Sequence, residues 1–239
     1  MKIISKPSPN FELKAKRRIK YIIIHYTNLP STQASLKHLL NKRNKVSAHY
    51  LLDQKGKIYS LVNENDIAWH AGISSWKADK LLNKNSIGIE LQNTGIAGNY
   101  EKFPISQISQ LEKLILQLQN KYNISNANIL GHSDISPDRK MDPGPKFPWR
   151  RLFKNGIGLM PKIYPSKSKK STSSNEIKNL QILLRKFGYN LKVNSFMDKQ
   201  TLLVLYAFQS HYCPNELSVP GNNLNLPRYL KELIKLQSQ

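Results

Sequence analysis

Six histidines are available for chemistry in this 239-residue chain: His25, His38, His49, His70, His132 and His211. Two of them follow short apolar runs. His25 closes Tyr21-Ile22-Ile23-Ile24, and His132 follows Ile129-Leu130-Gly131. After His132 the chain enters the stretch SDISPDRKMDPGPKFPW, with Asp134, Asp138 and Asp142 as its carboxylates. A long loop stiffened by Pro143, Gly144, Pro145 and Pro148 is costly to order unless it carries a function. Two imidazoles and a carboxylate are a donor set that zinc accepts, and catalytic zinc sites keep a fourth position open for water. Zinc lowers the pKa of bound water to about 7 and polarises a carbonyl oxygen. Spacing alone leaves the carboxylate open among Asp134, Asp138 and Asp142, because no compact motif of the H-E-x-x-H kind is present. It also leaves open the commoner fate of a histidine at a strand end, a structural role with satisfied partners.

Glu90 is the one acid in Ser86–Gln92, SIGIELQ, where Ile87, Ile89 and Leu91 alternate with Gly88, Glu90 and Gln92. If both faces of this strand are covered, an acid there needs a purpose, and a general base beside a metal is one. If the face is solvated, Glu90 is an ordinary exposed acid. Lys140, two residues before Asp142, could stabilise an oxyanion or be a surface lysine, the usual fate in so basic a chain. Ala68-Trp69-His70-Ala71-Gly72 sets a Trp beside a His on a Gly-bounded loop, which is unusual for mere connection.

These side chains need elements to position them. Ile19–Tyr26 reads as a buried strand because Ile22, Ile23 and Ile24 are consecutive and β-branched. Ser31 or Thr32 can cap a helix over residues 33–43. Ser47–Asp53 and Ile58–Val62 flank a Gln54–Lys57 turn as a hairpin. Ser86–Gln92 is a further strand, and Asn128–Gly131 a short one that delivers His132. Ser106 can cap a helix to Tyr122, with Ile108, Leu111, Ile115 and Leu118 on one face. Alternating strands and helices predict an α/β domain with a mixed central sheet flanked by helices, over residues 1–160. Residues 161–174 have a Ser/Lys-rich linker composition. Residues 175–239 predict a small three-helix domain, with Pro227 in the first turn of its last helix.

Composition narrows the class. Hydrophobic content is 39% and charged content 22%, which suits a folded globular chain. No apolar run reaches the length of about 18 residues that a transmembrane helix needs. The polar N-terminal stretch carries no secretory cleavage pattern, and the single Cys213 is too far along to be a lipoprotein anchor. One cysteine cannot form an internal disulfide. The net charge of +22 points either to a polyanionic partner or to compositional bias. The bases are scattered rather than gathered in one aromatic-studded patch, so nucleic acid is not expected as the primary partner.

HYT at His25, SAHYL around His49, AWHAG around His70, SIGIELQN around Glu90 and GHSDISPDRKMDPGPKFPW occur in that order over residues 19–153. Together they resemble the bacterial zinc-dependent N-acetylmuramoyl-L-alanine amidases of the amidase-2 class, and within it the AmiD branch. The resemblance implies zinc held by His25, His132 and Asp142, with Glu90 as general base and Lys140 beside the oxyanion. It implies hydrolysis of the amide between N-acetylmuramic acid and L-alanine in peptidoglycan or muropeptides. Trp69 and His70 would line the cleft against sugar or peptide, and His49 would sit in the cleft or behind the ligands. Residues 175–239, with LQILLRKFGY and AFQ, are similar to a peptidoglycan-binding helical module. Such a substrate places the protein in the cell envelope; the missing signal leaves the cytoplasm as the alternative.

Overall fold

The computed structural model describes residues 2–14, 16–162, 173–217 and 225–238. Its strands are β1 (Ile3–Ser5), β2 (Phe11–Glu12), β3 (Tyr21–Tyr26), β4 (Tyr50–Leu52), β5 (Ile58–Ser60), β6 (Ile67–Ala68), β7 (Ser75–Trp76), β8 (Asp79–Lys80), β9 (Ser86–Leu91) and β10 (Ile129–Gly131). Its helices are α1 (Thr32–Leu40), α2 (Ile105–Tyr122), α3 (His132–Ile135), α4 (Trp149–Lys154), α5 (Ser174–Phe187), α6 (Lys199–Tyr212) and α7 (Leu226–Leu236).

The main sheet has the order β1-β5-β4-β9-β3-β10. β4 and β5 form the antiparallel hairpin, and the remaining neighbours run parallel. This is the mixed central sheet flanked by helices that the sequence predicts. β3 and β9 are central, and every residue of β9 is buried. A strand covered on both faces must be apolar on both, which is why Ile22, Ile23 and Ile24 stand in a row. Each fully buried isoleucine contributes about 1.5–3 kcal/mol.

The period-two alternation of strands divides the two faces. Ile87, Ile89 and Leu91 join Ile108, Leu111, Ile115 and Leu118 of α2 in one core. Gly88 and Glu90 look to the opposite face, which is covered rather than solvated. There Leu51 packs with Leu39 and Leu61. That face carries the chemistry.

Two local expectations change. Ser106 does not cap α2; Pro104 holds the N-cap position, and the Ser106 hydroxyl donates to the Gln54 carbonyl at 2.6 Å. It ties the helix start to the β4–β5 turn instead. His132 does not enter an irregular loop but opens α3, a single helical turn. The cap of α1 is Ser31, whose Oγ accepts from Ala34 N.

The C-terminal segment forms the three helices expected from the sequence, α5, α6 and α7. Asp198 caps α6 by accepting from Thr201 N, and Pro227 lies in the first turn of α7. Leu184, Phe187, Phe208 and Leu230 belong to the same continuous core as Ile22 and Ile87. The end of α5 meets Trp76, with ring centroids 5.6 Å from Phe187 and 5.0 Å from Tyr189. Gly188 permits that approach, since a Cβ there would come within 2.6 Å of the indole. Most of the linker expected at 161–174 lies outside the described residues.

Candidate active site

Parallel pairing sets His25 of β3 beside Glu90 of β9. Both are next to last in their strands, so they emerge at the carboxyl edge of the sheet, where α/β proteins place ligands. β10 is parallel to β3 and ends at Gly131, so His132 emerges at the same edge. The loop after α3 then brings Asp142 back over the two imidazoles.

The result is a tight cluster. His25 Nδ1 lies 2.9 Å from His132 Nδ1 and 2.9 Å from Asp142 Oδ2, and His132 Nδ1 lies 3.1 Å from the same oxygen. All three side chains are buried. His132 Nε2 faces the Ala71 carbonyl at 3.2 Å. A carbonyl only accepts, so that nitrogen carries the proton and Nδ1 presents a lone pair. Burial, reinforced by His132, pushes His25 down to about 4 against the pull of Asp142. An ionised carboxylate facing imidazole lone pairs is short of positive charge and suits a cation. Donors at about 2.0–2.1 Å from a tetrahedral zinc stand roughly 3.3 Å apart, close to the spacing seen here.

The cluster opens into a cleft of about 330 Å³ lined also by Tyr26, His70, Glu90, Arg139 and Lys140. Glu90 is 9% exposed, and its Oε2 has no hydrogen-bond partner. Burial, with Asp142 adding, raises its carboxyl to about 8, while Lys140 pulls the other way. This is no exposed surface acid.

The other two carboxylates of the loop do different things. Asp134 accepts from Gly131 N at 2.7 Å, Tyr189 Oη at 2.6 Å and His211 Nδ1 at 2.7 Å. Asp138 is exposed and borders a separate cavity with Ile135 and Asn190.

The three aromatic candidates separate. His70 reaches the cleft wall, with Nδ1 3.1 Å from His25 Nε2. His49 does not reach the cleft. It is fully buried behind His70, and its Nδ1 accepts from Gly88 N at 3.0 Å. Burial, with Arg17 adding, pushes its imidazole down to about 3. A substrate cannot touch it: of the two places expected for His49, the structure excludes the cleft and puts the ring behind His70, where it supports β9. Trp69 is half-buried and is not among the residues lining this cleft.

Sequence reasoning missed Arg139. Its Nη2 donates to the carbonyls of Ala71 at 3.3 Å and Ile73 at 2.5 Å, and to Ser136 Oγ at 2.7 Å. It pins the loop carrying Asp142 to the segment after His70. In a chain with 37 Lys and Arg, nothing local distinguished it. Tyr26 was also missed, although it directly follows His25 and shares the strand end.

Fold and site together define a class, and comparison with known proteins identifies it. The family model for N-acetylmuramoyl-L-alanine amidases of the amidase-2 type matches residues 15–145, and the chain belongs to that family. The matched span contains His25, Glu90, His132, Lys140 and Asp142. The chain is 37% identical over 214 residues to N-acetylmuramoyl-L-alanine amidase AmiD from Escherichia coli, spanning 82% of this chain and 76% of that one. The structure of E. coli AmiD with the substrate anhydro-N-acetylmuramic acid-L-Ala-D-gamma-Glu-L-Lys superimposes with a TM-score of 0.81 at 33% identity. It covers 95% of this chain and 93% of the other. AmpDh3 from Pseudomonas aeruginosa, in complex with anhydromuramic pentapeptide, gives 0.77 at 29% identity over 92% and 93%.

Proposed function

We propose that this chain is a zinc-dependent N-acetylmuramoyl-L-alanine amidase that cuts the amide between N-acetylmuramic acid and L-alanine in peptidoglycan or muropeptides. The observation that carries the reading is the convergence of His25 Nδ1, His132 Nδ1 and Asp142 Oδ2 in a buried cluster that opens to a cleft. Family membership and relatives solved with muropeptides support the substrate class.

His25, His132 and Asp142 would hold the ion. Zinc bound there supplies a Lewis acid that polarises the scissile carbonyl and acidifies a water. The chain's own groups do the rest. With a cation bound beside it, the Glu90 carboxyl would be drawn down from about 8 toward its ionised form and, without a competing partner on Oε2, would take the proton of the attacking water and return it to the leaving nitrogen of L-alanine. Lys140, on the cleft wall, offers positive charge where the carbonyl oxygen becomes an oxyanion. The His70 ring closes the cleft beside His25. Proton transfer to the amine matters because an amide does not expel a free amide anion in water.

We assign catalysis to residues 1–160 and a peptidoglycan-binding role to the helices of residues 175–239. We place the site of action at the cell envelope, where this substrate is found; among the described residues no helix is long and apolar enough to cross a membrane. The test is incubation with muropeptides, with and without a chelator, read by mass spectrometry. Release of free stem peptide that chelation stops and zinc restores is the expected result. Intact muropeptides under every condition would overturn the reading.

A further inference from the structure

A metal-binding imidazole must turn a lone pair, not a proton, toward the ion. Which nitrogen carries the proton is decided by what the far side of the ring touches. The far sides of His25 and His132 both touch the same two-residue segment, His70-Ala71. His132 Nε2 meets the Ala71 carbonyl at 3.2 Å, and His25 Nε2 meets His70 Nδ1 at 3.1 Å. The second contact joins two nitrogens, so its direction has to be worked out from the rest of the chain of bonds.

That chain ends in a group with one possible role. The Ser86 Oγ lies 2.5 Å from the Leu82 carbonyl, which can only accept, so the single hydroxyl proton of Ser86 is spent there. His70 Nε2 lies 3.1 Å from the same Oγ, which is left to accept. His70 therefore carries its proton on Nε2 and presents a lone pair at Nδ1. His25 must then carry its proton on Nε2, which leaves the His25 Nδ1 lone pair aimed at His132 and Asp142. Moving the His25 proton alone to Nδ1 would set two lone pairs against each other at 3.1 Å, and reversing the whole chain would leave the His70–Ser86 contact without a proton.

The segment is built to hold this geometry. The Asn83 carboxamide oxygen accepts from both His70 N at 3.1 Å and Ala71 N at 2.7 Å. The His70 ring lies over Gly88, where an added Cβ would come within 2.3 Å of ring Cγ. Arg139 donates to the same Ala71 carbonyl.

We propose that His70, backed by Ser86, and the Ala71 carbonyl fix the tautomers of both metal-binding histidines, so that His70 is a positioning residue for His25 rather than a substrate contact. This rests on the zinc reading above. It gives the AWHAG stretch a task in metal binding, and it explains why position 88 is a glycine.

The test compares wild type with His70→Phe, His70→Gln and Ser86→Ala, measuring zinc affinity by competition with a chelating dye. Loss of such an outer partner typically costs about 10–100-fold in metal affinity. His70→Phe should fall in that range. His70→Gln, whose carboxamide oxygen can accept from His25 Nε2, should recover most of it. Ser86→Ala, which keeps the His70 ring, should lose less than His70→Phe and serves if that variant fails to fold. Nitrogen-15 NMR of the zinc-free wild type should find the His25 proton on Nε2. Unchanged zinc affinity in His70→Phe and Ser86→Ala, with only KM raised, would make His70 a substrate contact and overturn the proposal. So would a His25 proton on Nδ1. If wild type binds no zinc, the amidase reading falls, and the NMR tautomer still decides this one.

Discussion

Asp134 and Asp142 lie in the same stretch of chain, both buried, and each takes a histidine Nδ1 against Oδ2 within 3 Å. They do opposite things. Asp134 is surrounded by protons: Gly131 N–H and His211 Nδ1 on one oxygen, the Tyr189 hydroxyl on the other. Burial, with Asp134 adding, raises the Tyr189 phenol well above its ordinary value, so it remains a donor. His211 is stacked between Trp149 at 3.6 Å and Tyr212 at 3.8 Å, which closes the pocket around the carboxylate. Asp142 is surrounded by lone pairs: two imidazole nitrogens whose protons are directed elsewhere. One carboxylate is complete and the other is short of a cation. Both places set histidine against aspartate; the distribution of protons separates a structural tie from a cluster that could hold a metal ion.

The difference also divides the labour of the chain. The Asp134 cluster joins α3 to Tyr189 and His211 in the C-terminal segment, and it holds the turn that starts with His132. The Asp142 cluster uses only residues that precede position 143.

That division can be broken by substitution. His132→Ala should abolish zinc retention and with it muropeptide cleavage, while leaving the fold intact by circular dichroism; metal analysis of the purified variant checks it. Glu90→Gln should keep zinc and lose about 10²–10⁴-fold in turnover, the usual contribution of a positioned general base. Near-normal kcat would remove Glu90 from the mechanism. Lys140→Met should cost about 10²–10³-fold in kcat with zinc retained, as expected for a donor aimed at an oxyanion. A change confined to KM would assign Lys140 to binding instead. Tyr189→Phe should act on the other cluster alone. It leaves Asp134 one donor short, costs about 1–3 kcal/mol in denaturant unfolding, and changes zinc affinity little. A large loss of zinc with no loss of stability would contradict the division.

Much of this was legible in the sequence. The run Ile22-Ile23-Ile24 requires a strand covered on both faces, and Ile87, Ile89 and Leu91 require one whose alternate residues face away from α2. Those patterns mark His25 as the end of a buried strand and turn Glu90 away from Ile87, Ile89 and Leu91; that the two share a face follows from the β3–β9 register. The carboxylate was not legible from spacing, because Asp134 is satisfied by partners 55 and 77 residues away. Nothing local to the loop announces Tyr189 or His211. The choice between cleft and a place behind the ligands for His49 was open for a related reason. A histidine on a short strand looks the same in sequence whether its ring reaches a cleft or is enclosed, as here, between Gly88 and His70. Ser106 had a capping residue's chemistry, but its hydroxyl was claimed by the Gln54 carbonyl across the hairpin turn.

The most direct measurement is the zinc content, per chain, of wild type, Asp134→Asn and Asp142→Asn after dialysis against a fixed free-zinc buffer. The structure predicts one zinc in wild type and in Asp134→Asn, and little or none in Asp142→Asn. Full occupancy in Asp142→Asn, or loss of zinc from Asp134→Asn alone, would contradict the account.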